Sequence, residues 1–273
     1  MKFSVVLSVQ PASFRAATLQ GDIAANLARL AAWGYDGVEL AIRDPSAVDC
    51  QALFELVRGH GLQLAAIGTG QAFGEDGLSF CDPDPGVRRA AVERIEGHLP
   101  LAALACAPVI IGLIRGRTRP GVARQKAMSW ITEALGECAE AAGAAGVRLA
   151  IEPICRAETD LINNAAEGMG LIGEVGAENL GLLLDSYHMS REESSIEDTL
   201  RRCFGKLFHV HLADSNRCRP GAGELDFAAI LGTLAGLGYR GWVSGEFLPE
   251  PDADTAAREA LEYLSSIKPG GMQ

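Results

Sequence analysis

LGTLAGLGYRGWVSGE, residues 231–246, reads as a helix, a glycine stop and a strand, and LARLAAWGYDGVEL, residues 27–40, repeats it near the other end of the chain. Both carry Leu-x-x-Leu-Ala, then Gly-Tyr-x-Gly, then a strand-like run. Gly34 and Gly238 stand where a helix ends on a left-handed residue, which glycine adopts without strain. AAGAAGVRLAIE, residues 141–152, is a third copy in the middle.

Working outward from this unit, strand-like runs fall at about 3–9, 36–42, 62–68, 108–114, 147–152, 180–185, 206–212 and 240–246. Helical patterns separate most of them, at about 21–33, 49–60, 85–106, 122–144, 163–175, 226–236 and 253–266, with a short stretch at 191–203. Eight strands each followed by a helix predict an α/β fold, the (β/α)8 TIM barrel, and 273 residues suit one. A doubly wound dinucleotide fold needs a Gly-rich turn after its first strand, but that turn reads SVQPASF. GTGQAFG (68–74) follows a strand with G-x-G-x-x-x-G spacing, no helix opens at once, and it is read as an active-site loop. No linker or composition break interrupts the chain, so residues 1–273 are expected to form a single domain.

Composition removes several function classes. No apolar stretch is long enough to span a bilayer, and the apolar start, MKFSVVLS, is read as a first strand rather than a signal peptide. A net charge of −11 and only 6% aromatic residues disfavour nucleic-acid binding. Seven cysteines without a C-x-x-C pair suit reduced thiols, hence a cytoplasmic protein.

Strands of a (β/α)8 barrel carry their chemistry at their C-terminal ends. VRLAIE ends in Glu152, LGLLLD in Asp185, KLFHVH in His211 and WVSGE in Glu246. These residues are 33, 26 and 35 positions apart, about one βα unit each, so all four converge on one rim. Ionisable side chains are scarce in barrel interiors unless paired or bound to metal. Three carboxylates and an imidazole suit Mn²⁺, with Mg²⁺ or Co²⁺ as other choices. The plain alternative is a set of buried ion pairs.

Beyond these strand ends lie Glu158, His188 and Arg217, all in βα loops, where they can line a polar substrate pocket. Asp214 and Asn216 are expected to fix the loop that carries Arg217. His209 is expected to be a satisfied core histidine, Glu39 to pair with an arginine, and His60 and His98 to lie on the surface.

VELAIRDPS, AIGTGQAF, IIGLIRGR, IEPICRAETDLIN and HVHLADSNR together resemble the xylose-isomerase-like TIM-barrel superfamily of sugar isomerases and epimerases, over essentially the whole chain. Within it the chain is similar to the ketose 3-epimerases acting on D-tagatose and D-allulose, and to 5-keto-L-gluconate epimerases. The resemblance implies a metal tetrad of Glu152, Asp185, His211 and Glu246, with Glu158, His188 and Arg217 binding substrate. It also implies a homo-oligomer, dimer or tetramer. The reaction expected is inversion of the carbon next to a ketone, Glu152 and Glu246 exchanging the proton through an enediolate.

At least one of Arg115 and Arg117 in IIGLIRGR, with Arg43 nearby, is read as a clamp for the far, anionic end of a keto-uronic acid such as 5-keto-L-gluconate or D-tagaturonate, a ketose phosphate being the next choice. The alternative is that each pairs with an acidic neighbour such as Asp44 or Asp36. Three other functions share parts of this pattern: a hydroxypyruvate-type aldose–ketose isomerase, a DNA-repair endonuclease and a non-catalytic sugar-binding protein.

Overall fold

In a computed structural model describing residues 1–269, eight strands form, buried over nearly all their length. They are β1 (Lys2–Ser8), β2 (Gly37–Ala41), β3 (Gln63–Gly68), β4 (Val109–Ile111), β5 (Leu149–Ile151), β6 (Leu180–Asp185), β7 (Leu207–Leu212) and β8 (Trp242–Gly245). Each pairs in parallel with the next, and β8 returns to β1 through Lys2↔Trp242 to Val5↔Gly245, closing the barrel. Closure removes the free strand edges that an open sheet would expose.

The helices are α1 (Ile23–Trp33), α2 (Cys50–Gly59), α3 (Gln71–Asp76), α4 (Pro85–Ala105), α5 (Arg124–Ala144), α6 (Ala165–Val175), α7 (Ser186–Glu192), α8 (Ile196–Cys203), α9 (Phe227–Gly236) and α10 (Ala253–Ile267). Asp22, Asp49, Asp226 and Asp252 each begin one by accepting an amide hydrogen three residues on. Each such cap contributes about 1 kcal/mol. Gly34 ends α1 at φ 93° and Gly238 follows α9 at φ 77°, as the repeated Gly-Tyr-x-Gly predicts.

Outward-facing strand residues such as Leu40, Ile67, Leu182 and Val210 pack against Leu27, Ile95, Leu135 and Ile230 of the helices. Inside the barrel a small plug of Ala66, Ile110, Ala150 and Leu183 is closed by Phe208. Side chains two apart on a strand share a face. Above this plug, the same inward faces therefore present Glu152, Asp185 and His211. In β7 the register jumps from Leu182↔Leu207 to Leu183↔His209, so Phe208 is an extra residue in a bulge. Such a bulge re-aims the side chains beyond it.

Two expectations fail here. GTGQAFG is not a plain loop: a six-residue helix, α3, opens at Gln71 between Gly70 and Gly77. His98 is not on the surface; it is 1% exposed, on the α4 face that also buries Ile95 and Ala102. Neither ring nitrogen of His98 has a hydrogen-bond partner among the described residues, and burial pushes its pKa down to about 3.

Candidate active site

The strand ends of β5 to β8 meet. Glu152, Asp185, His211 and Glu246 each bring one donor atom within 4.8 Å of all the others. Nδ1 of His211 lies 4.0 Å from Glu152 Oε1, 3.9 Å from Asp185 Oδ2 and 3.7 Å from Glu246 Oε2. Asp185 divides its oxygens, Oδ1 accepting from the Tyr187 amide at the start of α7 at 2.6 Å while Oδ2 turns to the cluster.

The electrostatics are strained without a cation among these groups. Burial, with the Glu246 charge beside it, pushes Glu152 well above the usual carboxylate range. Burial also lifts Asp185 to about 6. Burial opposes a charge on His211, yet Glu39 and Glu246 hold its pKa well above the ordinary value. Positive charge is thus favoured where the three carboxylates converge. Glu152 Oε1 and His211 Nδ1 are both buried without a hydrogen-bond partner among the described residues. Ligand atoms about 2.1 Å from a shared ion stand roughly 3–4 Å apart, the range in which His211 Nδ1 meets the three carboxylates. The donor set fits a divalent cation such as Mn²⁺ or Mg²⁺.

Above the tetrad sits a cavity of about 350 Å³ lined by Glu152, Glu158, His188, His211, Arg217 and Glu246 on one side. Its opposite wall is Phe14, Arg15, Gly70, Gln71 and Glu75, from the segments after β1 and β3. Arg217 pairs with Glu158 and stands 3.8 Å from Glu246. Its guanidinium stacks on Phe14 and Tyr187, 5.3 and 4.9 Å from the ring centres. Arg217 has φ 63°, an uncommon conformation for a side-chain-bearing residue. The loop enforces it: Asp214 accepts amide hydrogens from Gly221, Gly223 and Leu225, and Asn216 donates to Ala222. Asp214 and Asn216 therefore shape the loop, as expected.

Glu39 differs from expectation. Its partners are not arginine but two histidines of β7: Nε2 of His209 at 2.8 Å, and Nε2 of His211 at 3.0 Å from each carboxylate oxygen. Burial works against its charge, but His211 and His209 hold the carboxylate well below its usual range. A carboxylate two residues before the end of VELA falls, by period two, on the interior face, and that signal was present in the sequence.

The arginine clamp is not formed. Arg115 is 0% exposed and its guanidinium donates to the carbonyls of Gly112, Leu161 and Ile162. β4 stops at Ile111, and a tight turn at Leu113–Arg115 carries the side chain under the loop after β5. Arg117 is exposed outside the cavity and donates to the Glu158 carbonyl, while Arg43 faces Asp76 at 3.8 Å. The arginine that sequence reasoning missed is Arg15. It lines the cavity, with its side chain 68% exposed and 3.2 Å from Glu250.

Comparison with known proteins places this geometry. Residues 27–267 match the family described as xylose isomerase-like TIM barrel, and the chain belongs to it. An L-ribulose 3-epimerase from Mesorhizobium japonicum is 32% identical over 226 residues, covering 82% of this chain and 75% of that protein. A ketose 3-epimerase from Arthrobacter globiformis is 29% identical over 217 residues, covering 76% and 71%. Among solved structures, a D-allulose 3-epimerase from Methylomonas superposes with a TM-score of 0.82 at 24% identity, over 98% of each chain. Epimerases are isomerases, and the chain is an enzyme of this ketose 3-epimerase-like kind.

Proposed function

We propose that the chain is a metal-dependent ketose 3-epimerase that inverts the carbon beside a ketone by passing a proton between Glu152 and Glu246. The observation that carries this reading is the approach of these two carboxylates, from β5 and β8, to one point at the floor of a sugar-sized cavity. Glu152, Asp185, His211 and Glu246 would hold the cation. It would supply Lewis-acid stabilisation of the charge that develops on adjacent substrate oxygens when the carbon loses its proton.

The residues account for the rest. One glutamate takes the proton from one face of the carbon, and the other returns a proton to the opposite face. After a turnover the first is protonated and the second is not, so the pair is set for the reverse direction or resets with solvent. His188 donates from Nε2 to a substrate oxygen, and Arg217 adds a charge-assisted donor. Glu158, held by Arg217, accepts from a substrate hydroxyl.

The substrate class follows from the opposite wall. Ser8 donates to the Gln10 carbonyl at 2.6 Å, so its oxygen can only accept from Nε2 of Gln71, at 2.7 Å. Gln71 therefore keeps its carbonyl for another donor, and that Oε1 is buried without a partner among the described residues. With Glu75 beside it, the α3 part of this wall offers acceptors, which suit hydroxyls and disfavour a carboxylate. The proposal is a neutral ketose. Arg15 at the rim favours a second reading, a keto-uronic acid whose carboxylate displaces Glu250. All seven cysteines are unpaired, which supports a cytoplasmic setting; a homo-oligomer and no nucleic-acid or membrane partner complete the reading.

The test is incubation with L-ribulose, D-allulose, D-tagatose and D-tagaturonate in D₂O, with Mn²⁺ and after chelation. Deuterium at carbon 3 of a neutral ketose, with its 3-epimer as product and Mn²⁺ dependence, is expected. An aldose product would make the enzyme an aldose–ketose isomerase. Preference for D-tagaturonate, lost in Arg15→Ala, would establish the acid. Full activity after exhaustive metal removal would reject the metal.

A further inference from the structure

We infer that Glu39 is a positioning residue: from β2, on the far side of the barrel, it holds His211 in the tautomer and orientation that aim Nδ1 at the three carboxylates. The inference rests on the metal-binding reading of the tetrad.

The argument starts from cost. Glu39 is 1% exposed, and a carboxylate buried in a barrel interior is expensive unless its charge is answered. Among the described residues no arginine or lysine answers it; the hydrogen bonds it receives come from Nε2 of His209 and Nε2 of His211. An ionised carboxylate only accepts, so each of these nitrogens must carry a hydrogen. That fixes the tautomer of His211. With Nε2 donating to Glu39, the lone pair of the neutral ring is on Nδ1, the atom that stands 3.7 to 4.0 Å from the other three members.

His209 makes the arrangement stiff. It lies one layer deeper on the same strand face, buried completely, and its Nε2 meets both Glu39 at 2.8 Å and Ser244 Oγ at 3.0 Å. Glu39 is thus pinned from below by His209 and pins His211 above it. A carboxylate behind a ligating imidazole also makes that imidazole a stronger donor, and losing such a partner typically costs 10–100-fold in metal affinity. Glu39 is not one of the four groups whose donor atoms converge from β5 to β8. Its effect passes through the ring.

The test compares wild type with Glu39→Gln, which keeps the size and removes one acceptor. Mn²⁺ affinity is measured by chelator competition, the melting temperature is measured with and without Mn²⁺, and the ¹⁵N ring shifts of His211 are read in the Mg²⁺-loaded protein. The expected result is Mn²⁺ binding weakened by about 10–100-fold, a smaller metal-induced rise in melting temperature, and a folded metal-free protein. Wild type should show His211 protonated at Nε2 and bare at Nδ1. Wild-type Mn²⁺ affinity in a folded Glu39→Gln, or a wild-type His211 protonated at Nδ1 with metal bound, overturns the proposal. If Glu39→Gln does not fold, the ring shifts of wild type decide alone. Failure of wild type to bind Mn²⁺, Mg²⁺ or Co²⁺ at all strikes instead the metal reading beneath it.

Discussion

The backbone N–H of Cys155 points at Nδ1 of His188, 3.3 Å away. That contact makes Nδ1 an acceptor and leaves the proton of a neutral ring on Nε2, which stands 3.8 Å from Glu152 Oε1. Burial, with Arg217 nearby, holds the His188 pKa well below its usual value. The ring is therefore a neutral donor throughout the physiological range. His188→Ala is expected to lower kcat by about 10²-fold or more, in the range of a lost donor to a developing oxyanion. Steady-state kinetics with metal content matched to wild type provides the check, and an unchanged kcat removes His188 from the reaction.

On the proposed mechanism, Glu152→Gln and Glu246→Gln would each remove a proton-transfer group and the charge of a ligand oxygen. Each should cost about 10²–10⁴-fold in kcat, with a smaller effect on substrate affinity. Metal occupancy must be measured in both variants, because a lost cation would give the same fall. If either variant retains full metal and turns over like wild type, that glutamate does not move the proton. His211→Ala, by contrast, should lose the metal while the barrel stays folded.

Arg115 is a staple between the end of β4 and the loop after β5. Burial lowers its pKa, to about 10, so it stays charged at neutral pH while donating to three carbonyls. Arg115→Leu would leave the Leu161 carbonyl without a donor, at about 1–3 kcal/mol where water cannot reach, while the Gly112 and Ile162 carbonyls keep the backbone amides of Arg115 and Ile154. A fall in melting temperature of about 5–10 °C is expected, with the ratio of keto-acid to neutral-ketose activity unchanged. A changed ratio in a folded variant would return Arg115 to the substrate.

His98 sets an acid limit on stability. Its folded pKa of about 3 lies below the ordinary 6.5, so the unfolded chain binds the proton more readily. Stability from the neutral, buried ring is complete above about pH 6.5 and falls as pH drops toward 3, by at most roughly 1.4 kcal/mol per unit. Denaturant titrations between pH 7 and 4.5 should show a shallower decline in His98→Leu than in wild type. Parallel curves would mean that other groups carry the acid response.

The legible parts of this molecule were those where a short-range rule decides. Glu152, Asp185, His211 and Glu246 end strands, and strand ends in a barrel share a rim, so spacing alone brought them together. Gly34 and Gly238 marked the ends of two helices. Arg115 was misplaced because nothing in IIGLIRGR reveals that β4 is only three residues long and that the next turn swings inward. α3 was missed because six residues are too few to display a helical period. Phe14 and Arg15 reach the cavity from a segment without regular structure, where no periodicity says which way a side chain points. Glu39 was on the correct face, but its partners come from β7, 170 and 172 residues away.

The position of Glu39 divides labour between the halves of the chain. Every member of the tetrad comes from the second half, β5 to β8, so that half by itself would carry a complete inventory of donors. The orientation of the imidazole is lent by the first half. A circular arrangement lets two segments that are remote in sequence act as tool and vice, and the joint between them is a pair of buried hydrogen bonds. A half-barrel bearing all four donors would own the chemistry without the aim. The site belongs to the closed ring, because only closure sets β2 opposite β7.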